Sequence, residues 1–146
     1  GTLNVPGIVG LGEACRIARE DLEEEAARVG QLRDLLLAGV REGIPDVTVN
    51  GPADTARKLP GNLSLSFRSV DGSALIVSLG DLAASAGSAC TAGNAEASYV
   101  LKAIGTPGEL AISTLRLGLG RFTTEDEVHY AVGRIVETVK KLRMGR

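Results

Sequence analysis

The sequence contains few of the residues that characterise several common protein classes. It has no tryptophan, and aromatic residues make up 3% of its 146 residues, so the core has to be built from Leu, Val, Ile and Ala. Its two cysteines, Cys15 and Cys90, form no closely spaced pair such as Cys-x-x-Cys. A disulfide framework is therefore not expected, and a reducing compartment, the cytoplasm, is the predicted location.

Charge and hydropathy argue against two classes of partner. The formal net charge of −2 provides no basic surface of the kind that binds nucleic acid. No apolar run approaches the ~20 residues that a membrane-spanning helix needs, and the first residues lack the basic and apolar segments of a signal peptide. We therefore expect neither nucleic acid nor a membrane as a partner.

The composition is that of one ordinary globular domain. Hydrophobic residues make up 44% and charged residues 23% of the chain, and the length is sufficient for one domain with its own core. The chain starts at Gly1 and its only methionine is Met144. We therefore expect it to be part of a longer protein.

A long amphipathic helix is predicted over residues 8–41. Apolar residues recur there at steps of three and four, which places them on one face of an α-helix. Cys15 lies on this stripe and is therefore predicted to be a buried, structural cysteine. The stripe consists of Leu11, Cys15, Ala18, Leu22, Ala26, Val29, Leu32, Leu36 and Val40.

The rest of the chain predicts short strands and helices. Strict alternation of apolar residues is typical of strands, and Asp71 and Thr124 are suitable N-caps for helices. The predicted fold is therefore a small α+β domain in which helices cover one face of a short sheet. Strands are predicted at 47–49, 63–67 and 114–120, and helices at 72–79, at 98–104 and from Thr124 onward.

Cys90 is the first candidate for chemistry. It lies among small, uncharged side chains, and glycines stand three residues away on either side. Because such a stretch has little to bury, we expect the loop at 86–94 to be mobile and Cys90 to be exposed. The alternative is that Cys90 is a small buried hydrophobe, as most free cysteines are.

Arg116 is the second candidate. It shares one face of its predicted strand with Gly118 and Gly120, while the leucines share the other face. An arginine beside residues without side chains has open space, which suits bidentate binding of a carboxylate. The alternative is a surface arginine on an edge strand. His129, the single histidine, has no identifiable partners for catalysis or metal binding and is predicted to face solvent.

Three stretches carry a family resemblance: GTLNVPGIVG at 1–10, GSACT at 87–91 and LRLGLGRFT at 115–123. In this order they resemble the signatures of cysteine desulfurases, which are class V, fold-type I pyridoxal-phosphate enzymes. LPGNLSLSF at 59–67 extends the similarity over essentially the whole chain. The resemblance implies that residues 1–146 form the single, small C-terminal domain of such an enzyme, without the large cofactor-binding domain.

The resemblance also implies residue roles. Cys90 matches the cysteine that becomes a persulfide when L-cysteine is converted to L-alanine, and Arg116 matches the arginine that binds the substrate carboxylate. Thr2 matches a threonine that reaches the phosphate of pyridoxal phosphate in the opposite subunit of the family homodimer. The partner that receives the sulfur is expected to be an acceptor protein or an iron–sulfur scaffold protein, and the resemblance leaves open whether the sulfur serves iron–sulfur cluster assembly or tRNA thiolation.

The lysine and histidine that hold the cofactor in this family have no counterparts in the chain. The chain alone is therefore not expected to bind pyridoxal phosphate or to be active. Two alternatives remain at this stage. The chain could be a stand-alone sulfur-carrier or docking module without catalysis, or a structural domain in which Cys90 is buried and inert.

Overall fold

The computed structural model describes residues 1–85 and 98–145. Cys90 and the loop predicted at 86–94 lie outside the described residues. The helices are α1 (Val5–Gly43), α2 (Gly72–Ser78), α3 (Tyr99–Ala103), α4 (Gly108–Ala111) and α5 (Glu125–Met144), with a short 3-10 turn at Thr55–Arg57. The strands are β1 (Val47–Val49), β2 (Asn62–Phe67) and β3 (Thr114–Gly118).

The three strands form one antiparallel sheet in the order β1-β2-β3. Leu65 at the centre of β2 pairs with Val49 on one side and with Leu115 on the other. This register places the apolar residues of all three strands on one face, because side chains alternate along a strand. The core on this face includes Leu63, Leu65, Phe67, Leu115 and Leu117 from the sheet and Leu32, Leu36, Val40, Val128, Ile135 and Val139 from the helices.

Helices α1 and α5 pack closely against each other over this face. A Cβ atom added at Gly39 would lie 2.9 Å from the side chain of Val132, and one added at Gly43 would lie 2.5 Å from Val136. Larger side chains at these two glycines would therefore separate the helices. The closeness of the two helices seals the core from solvent.

Helix α1 is longer than the predicted 8–41, and its apolar stripe is buried only in part. Val29 is the first buried residue of the helix, whereas Leu11 and Leu22 are 67% and 63% exposed. Cys15 is exposed, so the prediction that it is buried is wrong for this chain. The reason is length: α1 has 39 residues and α5 has 20, which at about 1.5 Å per residue leaves nearly half of α1 without a packing partner among the described residues.

The remaining predicted elements are close to those in the structure. Asp71 caps α2 by accepting a hydrogen bond from Ala74 N at 2.8 Å, and Thr124 and Glu127 form a capping box at α5. His129 is exposed, as predicted. Helix α4 was not predicted, because its four residues are too few to show a helical repeat.

Two classes of feature are absent from the part of the chain that the structure describes. No helix there is long and apolar enough to cross a membrane. In residues 1–85 and 98–145, no group of three or more His, Cys, Asp or Glu residues is arranged to hold a metal ion.

Asp81 connects the end of α2 to α5. Its carboxylate accepts hydrogen bonds from Arg134 Nε at 2.7 Å and from the Tyr130 hydroxyl, and Arg134 also donates to Ser78 O at 3.4 Å. The Arg134 guanidinium, followed by the Tyr130 hydroxyl, holds the pKa of Asp81 well below its ordinary value of 3.8. This ionic contact fixes the chain at a point five residues before residue 86.

We expect Asp81→Asn to lower the free energy of unfolding at neutral pH, because Asn cannot form the ion pair with Arg134. Since folding depresses the pKa of Asp81, its contribution is fully present above the unfolded pKa of about 3.8 and is lost as the pH falls below that value. Urea unfolding of both proteins at pH 7 and pH 3 should therefore show a difference that narrows at pH 3. Glu137→Gln, which removes the exposed second partner of Arg134, should have a smaller effect.

Gly61 lies where β2 begins beside the end of β3. Leu119 N donates to Gly61 O at 2.8 Å, and a Cβ atom at Gly61 would overlap the carbonyl oxygen of Leu119. We expect Gly61→Ala to destabilise the protein by roughly 1–3 kcal/mol, because two backbone segments would have to separate. Gly133→Ala, at an exposed site in α5 with nothing within 4 Å, should instead stabilise it by about 0.5–1 kcal/mol. Urea unfolding measures both, and equal effects would contradict the close approach at Gly61.

Candidate functional site

Arg116 is exposed at the centre of β3, between two buried leucines. Leu115 and Leu117 are 0% and 7% exposed and face the core, so the side chain of Arg116 projects from the opposite face of the sheet. Within residues 1–85 and 98–145, no Asp or Glu pairs with its guanidinium. The predicted direction of this side chain is confirmed.

Ser85 continues the sheet beside Arg116. Arg116 N donates to Ser85 O at 2.6 Å, and Ser85 N donates to Arg116 O at 3.1 Å. The two residues form an isolated antiparallel bridge, on the side of β3 away from β2. Cys90 follows Ser85 by five residues, so its Cα lies within about 18 Å of the Ser85 Cα at full extension. The bridge therefore places the last described residue before Cys90 beside Arg116.

A buried polar network lies on the same face of the sheet as Arg116. Asn50 Nδ2 donates to Ser66 Oγ at 2.9 Å, and Thr114 Oγ1 donates to the carbonyl of Leu110 at 3.0 Å. Because the single hydroxyl proton of Thr114 is used there, Ser66 Oγ donates to Thr114 Oγ1, at 2.7 Å. The chain of hydrogen bonds ties β2, β3 and α4 together next to Arg116.

The turn that follows β3 is fixed to α1 by two arginines. Arg28 donates from its guanidinium to the carbonyl oxygens of Thr123 at 2.9 Å and Gly120 at 3.1 Å. Arg121 in turn donates to the Glu25 carboxylate at 2.6 Å, and this contact raises the pKa of Arg121 above its ordinary value. The strand that carries Arg116 is thus anchored at its C-terminal end.

The described residues do not bring Thr2, another predicted site residue, to Arg116. Thr2 is exposed ahead of α1, and its hydroxyl has no hydrogen-bond partner among the described residues. Residue Val29 is the first buried position of α1, so 24 helical residues, about 36 Å, separate Val5 from the body of the domain. Cys90 lies outside the described residues, and the roles of Cys90, Arg116 and Thr2 stay predictions.

Sequence reasoning missed Ser85 and the polar network. Ser85 lies in a stretch of small residues without periodicity, so no pattern indicated its bridge to Arg116. The network had a detectable signal, because Ser64 and Ser66 alternate with Leu63, Leu65 and Phe67 on β2. The same alternation that identifies the apolar face of β2 also places Ser64 and Ser66 together on its polar face.

Comparisons with known proteins agree with the fold. The chain is 52% identical over 143 residues to a cysteine desulfurase IscS of Anaeromyxobacter sp. (strain Fw109-5), covering 98% of this chain and 35% of that protein. It is 46% identical over 143 residues to a Homo sapiens cysteine desulfurase, covering 98% of this chain and 31% of that protein. A solved NifS-like protein matches with a TM-score of 0.80 and 32% identity, over 97% of this chain and 35% of that chain.

The chain spans about a third of the length of these relatives. The family model described as aminotransferase class-V matches residues 1–130. The match includes β1, β2, β3, Arg116 and the beginning of α5, so it covers the sheet and most of its supporting helices. This chain therefore belongs to the aminotransferase class-V family.

Proposed function

We propose that this chain is the small-domain portion of a cysteine desulfurase, which converts L-cysteine to L-alanine and retains the sulfur as a persulfide on Cys90. The bridge between Ser85 and Arg116 is the observation that carries this proposal. Ser85 lies beside an arginine that can bind the substrate carboxylate, and the segment that contains the proposed nucleophile begins directly after Ser85. Relatives named cysteine desulfurase, 46–52% identical over nearly the whole chain, support the same reaction.

Arg116 is suited to position an amino-acid substrate. Its guanidinium is exposed, is not engaged by an acidic side chain of the described residues, and stands on a strand held at both edges. A guanidinium binds a carboxylate through two parallel hydrogen bonds, which fixes orientation as well as place. Binding of the substrate carboxylate at Arg116 would bring the substrate sulfur within reach of a residue on the segment after Ser85.

Membership of the family implies pyridoxal phosphate as the cofactor of the full-length enzyme. The described residues fit parts of two such sites in a homodimer: the Thr2 hydroxyl, which has no partner among them, would hold the cofactor phosphate of the opposite subunit, and the exposed Arg116 would hold the substrate carboxylate. When bound, the cofactor supplies an electron-withdrawing ring that weakens the substrate bond between Cβ and sulfur. The chain's own contribution is to hold and orient the groups around it.

Cys90 is the proposed nucleophile. Its thiolate attacks the substrate sulfur, so that a sulfur–sulfur bond forms while the Cβ–sulfur bond of the substrate breaks. The electron pair of the broken bond stays with the substrate carbon, which takes a proton and leaves as part of alanine. The sulfur retained on Cys90 is then available to an acceptor protein or an iron–sulfur scaffold protein.

The exposed apolar residues in the uncovered half of α1 support the proposal that a further domain packs against this chain. Val9, Leu11 and Leu22 on α1, and Leu3 just before it, are each more than 60% exposed. Apolar side chains in such a group usually mark a surface that another element covers. The large cofactor-binding domain of a homodimeric enzyme is the proposed cover. A reducing compartment, the cytoplasm, is the proposed setting, because the Cys90 thiol has to remain reduced between turnovers.

In the full-length protein, Cys90→Ser should abolish alanine and sulfide formation from cysteine while leaving pyridoxal-phosphate absorbance intact, because a hydroxyl cannot carry a persulfide. Cys15→Ser is the matched control and should retain turnover, since Cys15 lies on exposed α1. The purified 146-residue chain should be inactive without the residues that hold the cofactor. Normal turnover by Cys90→Ser would show that the nucleophile is a different residue.

Arg116→Ala in the full-length protein should raise the KM for cysteine by roughly tenfold or more, because a hydrogen bond to a charged group contributes about 1.5–3 kcal/mol. Arg116→Lys should recover part of the loss, since it restores the charge but not the bidentate geometry. Arg68→Ala, at another exposed arginine, is the control and should leave steady-state kinetics unchanged. An unaltered KM in Arg116→Ala would contradict the carboxylate-binding role.

A further inference from the structure

A basic cleft lies between α1 and the loop that joins β1 to β2. It has a volume of about 570 Å³, and Arg116 is not among the residues that line it. Leu37 on α1 and Leu63 on β2 are among its apolar residues, and Arg41, Arg57 and Lys58 also line it. The cleft is therefore a second place where a ligand could bind, although one of its lining residues, Ser64, pairs with Arg116 in the sheet register.

The positive charge of the cleft is largely uncompensated. Four cations line it but only one acid, Asp34. That acid is engaged by Arg33, whose Nη2 donates to Asp34 Oδ1 at 2.8 Å. Arg41, Arg57 and Lys58 have no ion-pair partner within the described ranges 1–85 and 98–145. Three unpaired cations around one cleft, in a chain of net charge −2, form a local anion-attracting site.

The shape of the cleft is set by the backbone. Gly51 adopts φ +93°, a left-handed conformation that favours glycine, and a Cβ atom at this position would lie 3.8 Å from Lys58 Cε. Asn50 is held by its hydrogen bonds to Ser64 at 3.1 Å and to Ser66 at 2.9 Å. The turn at Asn50 and Gly51, which forms one wall of the cleft, is therefore fixed by hydrogen bonds to β2. The aliphatic part of the Lys58 side chain lies next to this turn.

We propose that this cleft binds a small organic anion that carries at least two negative groups, as phosphate or carboxylate. Its volume lies within the range of about 300–1,000 Å³ that is usual for small-molecule sites. Arg41 lies on α1, whereas Arg57 and Lys58 lie on the loop between β1 and β2, so the cations come from two separate walls of the cleft. Cations on two walls suit a ligand with two negative groups, and guanidinium groups bind both phosphate and carboxylate through paired hydrogen bonds.

The lining favours a compact anion over nucleic acid. No aromatic side chain lines the cleft, whereas single-stranded nucleic acids are usually held by aromatic residues on which bases stack. Asn62 and Ser64 also line it and provide neutral groups that can hydrogen-bond hydroxyls of the ligand. The inference does not depend on the proposed desulfurase activity, because none of the residues proposed for that reaction is used.

Isothermal titration calorimetry of the full-length, cofactor-saturated protein at low salt tests this proposal, with pyrophosphate and citrate as probes. We expect saturable binding of at least one probe at one site per chain, and the preferred probe distinguishes phosphate from carboxylate. Arg41→Gln and the double variant Arg57→Ala/Lys58→Ala should each weaken binding by about tenfold or more, through loss of a charge-assisted contact. Circular dichroism should show unchanged folding, because Arg41 and Arg57 are exposed.

The double variant Lys140→Ala/Lys141→Ala is the matched control, since it removes two adjacent cations from exposed positions on α5 outside the cleft. It should leave the affinity unchanged. The proposal is overturned if neither probe binds, or if the control weakens binding as much as the cleft variants, which would indicate general charge attraction. It is also overturned if only a polyglutamate peptide binds, which would make the cleft part of a protein-docking surface.

Discussion

The antiparallel pairing of β2 with β3 is the contact on which both faces of the sheet depend. The alignment of Leu65 with Leu115 places the apolar residues of both strands under α1 and α5. The same register puts Ser66 beside Thr114 and Ser64 beside Arg116 on the opposite face. A slip of one residue would exchange the two faces, so the apolar core determines where the arginine projects.

The polar face is held together by hydrogen bonds between buried side chains. Ser66 and Thr114 are 0% and 1% exposed, and none of the described buried side-chain nitrogen or oxygen atoms lacks a partner. Buried polar groups of this kind resist displacement, because an unpaired donor or acceptor costs about 1–3 kcal/mol. The strand that carries Arg116 is consequently held by its core, by this network and by the turn that Arg28 fixes to α1.

The cleft beside β1 shares residues with the polar network and with the hydrophobic core. Asn50 belongs to the polar network and also lines the cleft, while Leu63 belongs to both the core and the cleft. The central strand β2 therefore connects the candidate substrate arginine on β3 with the cations beside β1. The uncompensated charge is concentrated in loops and on the helix surface, where it does not compromise the core.

The sequence by itself determined the three strands, the helices other than α4, the apolar faces of the strands and the family, because these follow from local spacing and ordered motifs. The alternation at 114–118 was sufficient to place Arg116 opposite Leu115 and Leu117, and the capping residues Asp71 and Thr124 marked two helix starts correctly. Only the tertiary structure decided which part of an apolar stripe is covered, and for this reason Cys15 was misassigned. It also decided that Ser85 meets Arg116 and that Arg41, Arg57 and Lys58 surround one cleft. Such contacts join residues that are far apart in the chain, and a local periodicity in the sequence does not predict them.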